Sequence, residues 1–501
     1  MYRYLLVAAL LAGAARLEAQ SPSAPGAASA HPPAPPPAAS RSGASSADTL
    51  VIPLAEAVGR ALRSGDEARI ADASVDLADA QVGVARSSAL PQLRLSNTSY
   101  THTIQSARGQ AVGQLFNQAN TYSAVANLSQ TIFQGGRAMA GWRAGNRLAD
   151  AAVLTRSETR QDIALGVARA YLTVLLNHEL LAIQEANARL ADERLAQVEG
   201  FEKAGRAARY DVLRARVERA NIEPQLIQAR SDERLAELEL KRLLNLPADQ
   251  PVRLSTSLDT AAVSAVATRV AADTVGARMD ARPAVRAAEL TARARHDGIT
   301  VARADLLPTI SVFAQTGYQA FPTINRLPVK KGAIVQVPCA PGSAADRICT
   351  GQNGGWFDDR SVGVQVSWTP FDGLRAKSNI DVAQAQARLA DAQLAQEREA
   401  VTLEIAGARA EFQRAASVFE ANRQNASEAE EAFRLAQIRY TRGLGTQLDV
   451  SDAQIALMTA RTNQARATND LYLAAAGVER AYGHPLPLPG GGEITTDDGS
   501  R

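Results

Sequence analysis

The sequence predicts a mainly α-helical chain with a smaller β portion that crosses a membrane, the whole built from a duplicated helix, strand, strand, helix unit. Three observations carry this reading. The chain repeats itself in register, a long unbroken helical run follows a glycine in each copy, and the segments before those glycines alternate apolar and polar residues.

Composition narrows the function. Among 501 residues, 54 Lys and Arg face 52 Asp and Glu, with no block of one sign, so no nucleic-acid partner is expected. Only 5% of residues are aromatic and Ala is abundant, which favours long helices approaching through small residues over one large aromatic core. The histidines are scattered, His178-Glu179 lacks the second His of a zinc motif, and no phosphate loop or nucleophile elbow is present. No catalytic activity, metal site or cofactor is therefore expected. Two cysteines, Cys339 and Cys349, allow one disulfide and exclude a multi-Cys cluster within one chain.

At the N-terminus, Arg3, the apolar run from Leu5 to Ala15 and Leu17-Glu18-Ala19 form a signal peptide over residues 1–19. Residues 20–47, with His31-Pro32-Pro33-Ala34-Pro35-Pro36-Pro37, bury too little apolar surface to fold and read as a Pro/Ala-rich disordered tether. The mature chain has no uncharged apolar stretch long enough to span a bilayer as a helix, so any crossing falls to β-strands.

The repeat organises the rest. At an offset of 217, Val84-Ala85-Arg86 matches Val301-Ala302-Arg303 and Leu90-Pro91 matches Leu307-Pro308. At an offset of 238, Ser129, Thr131, Phe133, Gly135, Arg137 and Ala138 match Ser367, Thr369, Phe371, Gly373, Arg375 and Ala376. That offset continues through Gly205/Gly443, Asp211/Asp449, Val212/Val450, Ala215/Ala453 and Pro247/Pro485. The change of offset places 21 extra residues, with both cysteines, between Pro308 and Phe371.

Each copy opens with a helix, about 66–89 or 281–306, that stops at the Leu-Pro pair, because a residue before Pro is pushed out of the helical region. Two strands follow. Val362, Val364, Val366 and Trp368 alternate with Gly363, Gln365, Ser367 and Thr369; Ile310, Val312, Ala314 and Tyr318 keep the same period, and residues 93–104 are a more polar version. After Gly135 or Gly373 the helical pattern runs to about 203 or 441, a rod of about 100 Å. Ile405, Phe412, Phe419, Ala426, Phe433 and Tyr440 form a heptad stripe with Ala408, Ala415, Ala429 and Ala436 beside it; Val167, Val174, Leu181, Ala188 and Leu195 repeat it in the first rod. A rod with its return helix, about 210–245 or 448–482, is a stave of an assembly rather than a free unit.

Four strands cannot close a barrel without exposed edges, which lipid does not tolerate. Two chains would give eight strands and an interior filled by side chains; three would give twelve and a lumen. Aromatics crowd the strand regions, and Tyr100, Tyr122, Phe133, Phe313, Tyr318, Phe321, Trp368 and Phe371 are candidates for interfacial girdles.

Over residues 50 to 485 the chain resembles the TolC-like outer-membrane efflux factor family. The resemblance rests on the duplicated order, the Phe-x-Gly-x-Arg-Ala motifs at Phe133 and Phe371, and the tip motif Tyr440-Thr441-Arg442-Gly443-Leu444-Gly445-Thr446-Gln447-Leu448-Asp449-Val450-Ser451-Asp452-Ala453 with its counterpart Gly205 to Ala215. It implies a homotrimer with a twelve-stranded β-barrel in outer-membrane lipid, an α-helical barrel through the periplasm and a mixed equatorial belt. It also implies an exit duct of a tripartite efflux or type I secretion system, with a periplasmic adaptor (membrane fusion protein) and an inner-membrane transporter as partners. The alternative is a periplasmic coiled-coil adaptor or scaffold without a barrel.

By the same resemblance, Asp449 and Asp452 form acidic rings at the periplasmic mouth, where mutual repulsion raises their pKa values and attracts cations; helix capping is the competing role, above all for Asp449. Gly205 and Gly443 mark the helix-tip turns. Tyr440 and Asp211 match positions that clasp the mouth shut. The basic partner expected two residues after the tip Gly is replaced by Gly445, leaving Arg442, Arg206 or Arg209 to substitute. Cys339 and Cys349 fall in an extracellular loop, where an oxidising environment favours a disulfide. The expected division is 48–247 as the first repeat (strands within about 93–133, helices within about 136–245), 248–280 as equatorial connector, 281–485 as the second repeat (strands within about 308–371, helices within about 373–482) and 486–501 as a disordered tail.

Overall fold

The computed structural model describes residues 49–102, 120–257, 259–272, 282–322, 326–337, 349–488 and 493–494. The expected signal peptide and tether, Cys339 and most of the expected tail lie outside the described residues.

A short strand β1 (Leu50–Ile52) leads into α1 (Leu54–Ser64), which the sequence reading missed. Its buried Leu54, Ala57, Val58, Ala61 and Leu62 follow helical spacing, and Gly65 ends it. Helix α2 (Asp66–Ser87) runs to the first Leu-Pro pair, and the strands β2 (Gln92–His102) and β3 (Asn120–Gln134) follow. Gly135 and Gly136, both at positive φ, turn the chain into the rod α3 (Arg137–Lys203), and α4 (Arg209–Leu243) returns along it. The connector holds β4 (Val252–Leu254), parallel to β1, and α5 (Thr260–Ala272).

The second copy repeats the plan with α6 (Pro283–Arg303), β5 (Thr309–Ala320), β8 (Trp356–Ser367), the rod α7 (Arg375–Thr441) and α8 (Gln447–Tyr482). Each rod has 67 residues, about 100 Å of helix. The 21-residue insertion carries a hairpin not foreseen from the sequence, β6 (Ile334–Val337) with β7 (Cys349–Gln352). The expected disordered tail needs correction at its start. Strand β9 (Leu486–Pro487) pairs with β10 (Glu493–Ile494), Leu486 is buried, and the Tyr472 hydroxyl donates to the Pro487 carbonyl.

The strands expected to cross a membrane form a four-stranded antiparallel sheet in the order β2, β3, β5, β8. Its register sorts the side chains onto two faces. Pairings such as Val312 with Val364, Ala314 with Val362, Leu128 with Ala314 and Leu93 with Leu128 keep one face apolar. Val362, Val364, Leu93 and Leu95 on it are 65–79% exposed. Ser311 with Gln365, Gln315 with Ser361 and Arg94 with Asn127 make the other face polar. Tyr100, Tyr122, Tyr318 and Trp356 lie on the apolar face at the end away from the rods, with the Tyr100 and Tyr122 ring centroids 4.8 Å apart. Phe133, Trp368 and Phe371 lie at the rod end. Phe313 is corrected: it sits on the polar face opposite Gly363, where a Cβ would stand 2.9 Å from its ring, so it covers a glycine instead of meeting lipid.

Among the helices, α6 and α8 both fill the space between the rods, α6 at the sheet end and α8 at the tip end, while α2 and α4 take the same two levels on the far side of α3. The heptad stripe of α7 is its covered face, with Phe419, Ala415 and Ala426 buried. The core gathers Ile52, Leu54, Val58, Leu172, Leu240, Val263 and Leu471 around Tyr171. The Tyr171 hydroxyl donates to Ile52 O at 2.9 Å and accepts from Thr256 N at 3.2 Å, pinning the connector to the middle of the first rod. Beside this core the buried Arg282, just before α6, donates to Glu158 (2.7 Å) and to the Ala481 carbonyl (2.7 Å), and Glu404 and Arg480 complete a charge cluster joining four helices.

Candidate functional site

The rods end in two turns of the same construction. After α3, Gly205 N donates to Glu202 O and Arg206 N to Phe201 O; after α7, Gly443 N donates to Tyr440 O and Leu444 N to Arg439 O. Gly205 and Gly443 have φ of 70° and 72°, the left-handed conformation that closes a helix C-terminus and favours glycine. Next, each return helix is capped from its third residue. Ala208 N donates to Asp211 Oδ2 at 3.1 Å, and Thr446 N donates to Asp449 Oδ2 at 2.8 Å. In the second copy Asp449 N also donates to Thr446 Oγ1 at 3.2 Å, a full capping box. Ala208 has no hydroxyl to return the bond.

Asp449 thus has the capping role weighed against the acidic ring, and within one chain the Thr446 backbone N–H, then the Thr446 hydroxyl, hold its carboxyl below the usual aspartate range. Asp449 and Asp452 are both exposed, three residues apart on α8, so they share one side of it. Tyr440 packs its ring against Phe201 with centroids 6.4 Å apart, and the Arg206 guanidinium stands 5.0 Å from the Phe201 ring. The two turns therefore lie side by side. Among the described residues, Tyr440, Asp211 and Arg442 make no side-chain hydrogen bond to one another within the chain.

What ties the tip together is a polar network that sequence reasoning did not find. Arg194 of α3, with a side chain only 11% exposed, donates from Nη2 to the Gln447 carbonyl at the start of α8 at 2.6 Å. Its Nη1 reaches Gln454 Oε1 at 3.4 Å and Glu218 Oε2 of α4 at 3.8 Å. Ser451 donates to the same Glu218 carboxylate (3.3 Å), and Gln454 donates to Asn187 Oδ1 (2.8 Å). Burial lowers the Arg194 guanidinium from its usual value and Glu218 opposes this. One cation thereby fastens both return helices to one rod. Its only trace in the sequence is position: a charge directly before Leu195 of the heptad stripe, where it is covered by neighbouring helices.

Among the described residues no group of three or more His, Cys, Asp or Glu could hold a metal ion. No described helix is long and apolar enough to cross a membrane.

Comparison with known proteins gives the same picture. The chain is 23% identical over 366 residues to the cobalt-zinc-cadmium resistance protein CzcC of Cupriavidus metallidurans, covering 73% of this chain and 78% of that one. It is 24% identical over 399 residues to nodulation protein T of Rhizobium leguminosarum bv. trifolii, covering 79% and 78%. Among solved structures, the outer membrane protein VceC of Vibrio cholerae superposes with a TM-score of 0.66 at 19% identity, over 86% of this chain and 96% of that one. The Campylobacter jejuni CmeC outer membrane channel superposes with 0.69 at 16% identity, over 89% and 87%. The profile of the outer membrane efflux protein family matches residues 58–246 and 278–484, both repeats and both tip turns, and the chain belongs to that family.

Proposed function

We propose that three copies of this chain close into one continuous duct, a twelve-stranded barrel in the outer membrane prolonged by a helical barrel through the periplasm. It serves as the exit of a tripartite efflux or secretion system. The observation that carries this is the pair of open edges. The sheet ends at β2 on one side and β8 on the other, and the helical layer ends at α2 and α4 on one side and α7 on the other. Each open edge bears an apolar stripe: Ile70, Leu77 and Val84 are 61–71% exposed at heptad spacing on α2, and Val382, Leu389 and Leu403 are 56–71% exposed on α7. A head-to-tail contact between unlike edges closes a ring. The polar second face of the sheet selects twelve strands over eight, because an eight-stranded barrel would pack those Gln, Ser and Arg side chains into a filled interior.

Within this duct Asp449 and Asp452 line the periplasmic mouth, and Tyr440, Asp211 and Arg442 hold neighbouring staves across chain boundaries. An inner-membrane transporter and a periplasmic adaptor deliver the cargo. Family and fold are those of channel proteins, and a coiled-coil adaptor has no use for a lipid-facing sheet. Mass measurement in mild detergent tests the assembly. A trimer is expected for the native chain, and a monomer for Leu77→Glu combined with Leu389→Glu; a stable water-soluble monomer of the native chain overturns the proposal.

A further inference from the structure

The apolar face of β8 does not stay apolar to its end. From Trp368 back to Val362 every second residue is Val or Trp, but the next two positions of that face are Arg360 and Asp358, paired with Thr316 and Tyr318. Eight residues separate Trp368 from Arg360, about 26 Å along a strand and less along the membrane normal once the strand tilts. The hydrocarbon layer therefore ends near Arg360. Four residues further lies Trp356, on the same face, its ring centroid 6.4 Å from that of Tyr122.

A second cation joins this level. Lys331 forms an isolated β-bridge with Trp356, which puts its side chain on the same, lipid-facing side. The bridge is firmly built: Gly332 N donates to Trp356 O at 2.7 Å, Trp356 N donates to Lys330 O at 2.9 Å, and the Trp356 indole N–H donates to Pro328 O at 2.7 Å. Gly355 permits the approach, since a Cβ there would stand 2.5 Å from the Lys331 carbonyl oxygen. Lys331 is exposed and makes no ion pair among the described residues. Arg360 is 72% exposed, and among the described residues its single ion pair, to the half-exposed Asp358 at 3.5 Å, leaves most of its donors free. Because the rods occupy the periplasmic side, this end of the sheet faces the outer leaflet.

We propose that Lys331 and Arg360 form a docking surface for the phosphorylated headgroup of an outer-leaflet lipid, with Arg360 at its acyl boundary and Lys331, beside Trp356 and Tyr122, further out. Charge complementarity selects the occupant. Two cations stand on this lipid-facing surface beside a single carboxylate, Asp358, and headgroup phosphates are the anionic groups that lipid offers them. Long basic side chains reach outward from the apolar layer to that level. The inference rests on the outer-membrane location of the family and not on the number of copies in the duct.

The test titrates the full-length protein in mild detergent with bis-phosphorylated lipid A, with the same lipid after phosphatase treatment, and with inorganic pyrophosphate, counting bound molecules by native mass spectrometry. Phosphorylated lipid is expected to bind at least about fivefold more tightly than the dephosphorylated form. Lys331→Gln should weaken it about fivefold, and Lys331→Gln with Arg360→Gln about thirtyfold, with oligomeric mass and conductance unchanged. Equal binding of the two lipids, or unaltered binding by the single variant, overturns the proposal. Competition by millimolar pyrophosphate overturns it as well, since the surface would then be a site for free phosphate.

Discussion

Replacing Arg194 by Ala should loosen the periplasmic tip without disturbing the assembly. Its guanidinium makes one short charge-assisted bond, 2.6 Å to the Gln447 carbonyl, and two longer contacts, 3.4 Å to Gln454 and 3.8 Å to Glu218. A hydrogen bond to a charged group is worth about 1.5–3 kcal/mol net. The Glu218 contact adds little, because Glu218 keeps Arg214 at 3.1 Å and the burial that lowers the Arg194 pKa offsets part of the gain. About 2 kcal/mol per chain is therefore lost, close to a thirtyfold shift between held and released positions of the α8 N-terminus. That terminus carries Asp449 and Asp452, so release should widen the mouth and raise single-channel conductance in a planar bilayer. Lys in place of Arg keeps the charge but loses the planar fork and should fall between native and Ala. Native conductance in an intact Arg194→Ala oligomer would refute the reasoning and leave the network as a tie within the helix bundle with no part in the mouth.

The acidic residues give a second expectation: Asp449→Ala with Asp452→Ala should leave assembly intact and weaken block of conductance by divalent or trivalent cations added from the periplasmic side, whereas unchanged block returns both to helix capping. The pH profile of block in Asp452→Ala alone separates the two influences on Asp449. A lowered folded pKa means that its cap contribution is complete above the unfolded value and is lost as pH falls through the folded one, so block should survive acidification through the ordinary aspartate range. A midpoint above about 3.9 would instead show that converging carboxylates outweigh the Thr446 bonds. For Cys339 and Cys349, alkylation of unreduced, unfolded protein should modify neither, and modification of both rejects the disulfide. Arg282→Ala should cost about 1.5–3 kcal/mol by removing its charge-assisted bonds to Glu158 and the Ala481 carbonyl while Arg480 still pairs with Glu158 and Glu404, read as a lowered Tm with sheet content preserved.

The features legible in the sequence are those written as periods. Heptads in Phe412, Phe419, Ala426 and Phe433 identify the covered face of α7, because a stripe every seven residues faces one neighbour along the whole rod. Alternation from Val362 to Trp368 identifies a two-faced strand, since successive side chains point to opposite sides. The register of the repeat carried both to the other copy and located the tip turns at Gly205 and Gly443. Features that depend on one long-range contact were not legible. Phe313 obeys an aromatic-belt pattern until its partner proves to be Gly363, on the far side of the inserted hairpin. Arg194 looks like an ordinary solvated charge until α4 closes over it through Glu218 and α8, from the other copy, through Gln447. The β6–β7 hairpin and the buried Leu486 lie outside the repeat, where no second copy could corroborate them.

The charge cluster at Arg282 shows what the duplication requires beyond symmetry. Two copies related by an offset would pack equally well in either order along the rods unless something unrepeated fixed the junction. Arg282 stands where the connector enters the second copy, Glu158 belongs to the first rod, Glu404 to the second, and Arg480 to the last helix. Their counterparts by the 238-residue offset do not rebuild the cluster: Glu158 corresponds to Gln396 and Glu404 to Gly166, while Arg480 falls on Arg242, which pairs with its own neighbour Glu239 at 2.8 Å. The arrangement forms only once, at the middle of the molecule, and only when α6 and α8 lie between the two rods in the observed order. Wrong order would leave the buried Arg282 without its carboxylates, a penalty of several kcal/mol that a purely apolar seam of Ala and Val could not impose. The repeat thus supplies the staves, and an unrepeated buried ion cluster gives them a single order.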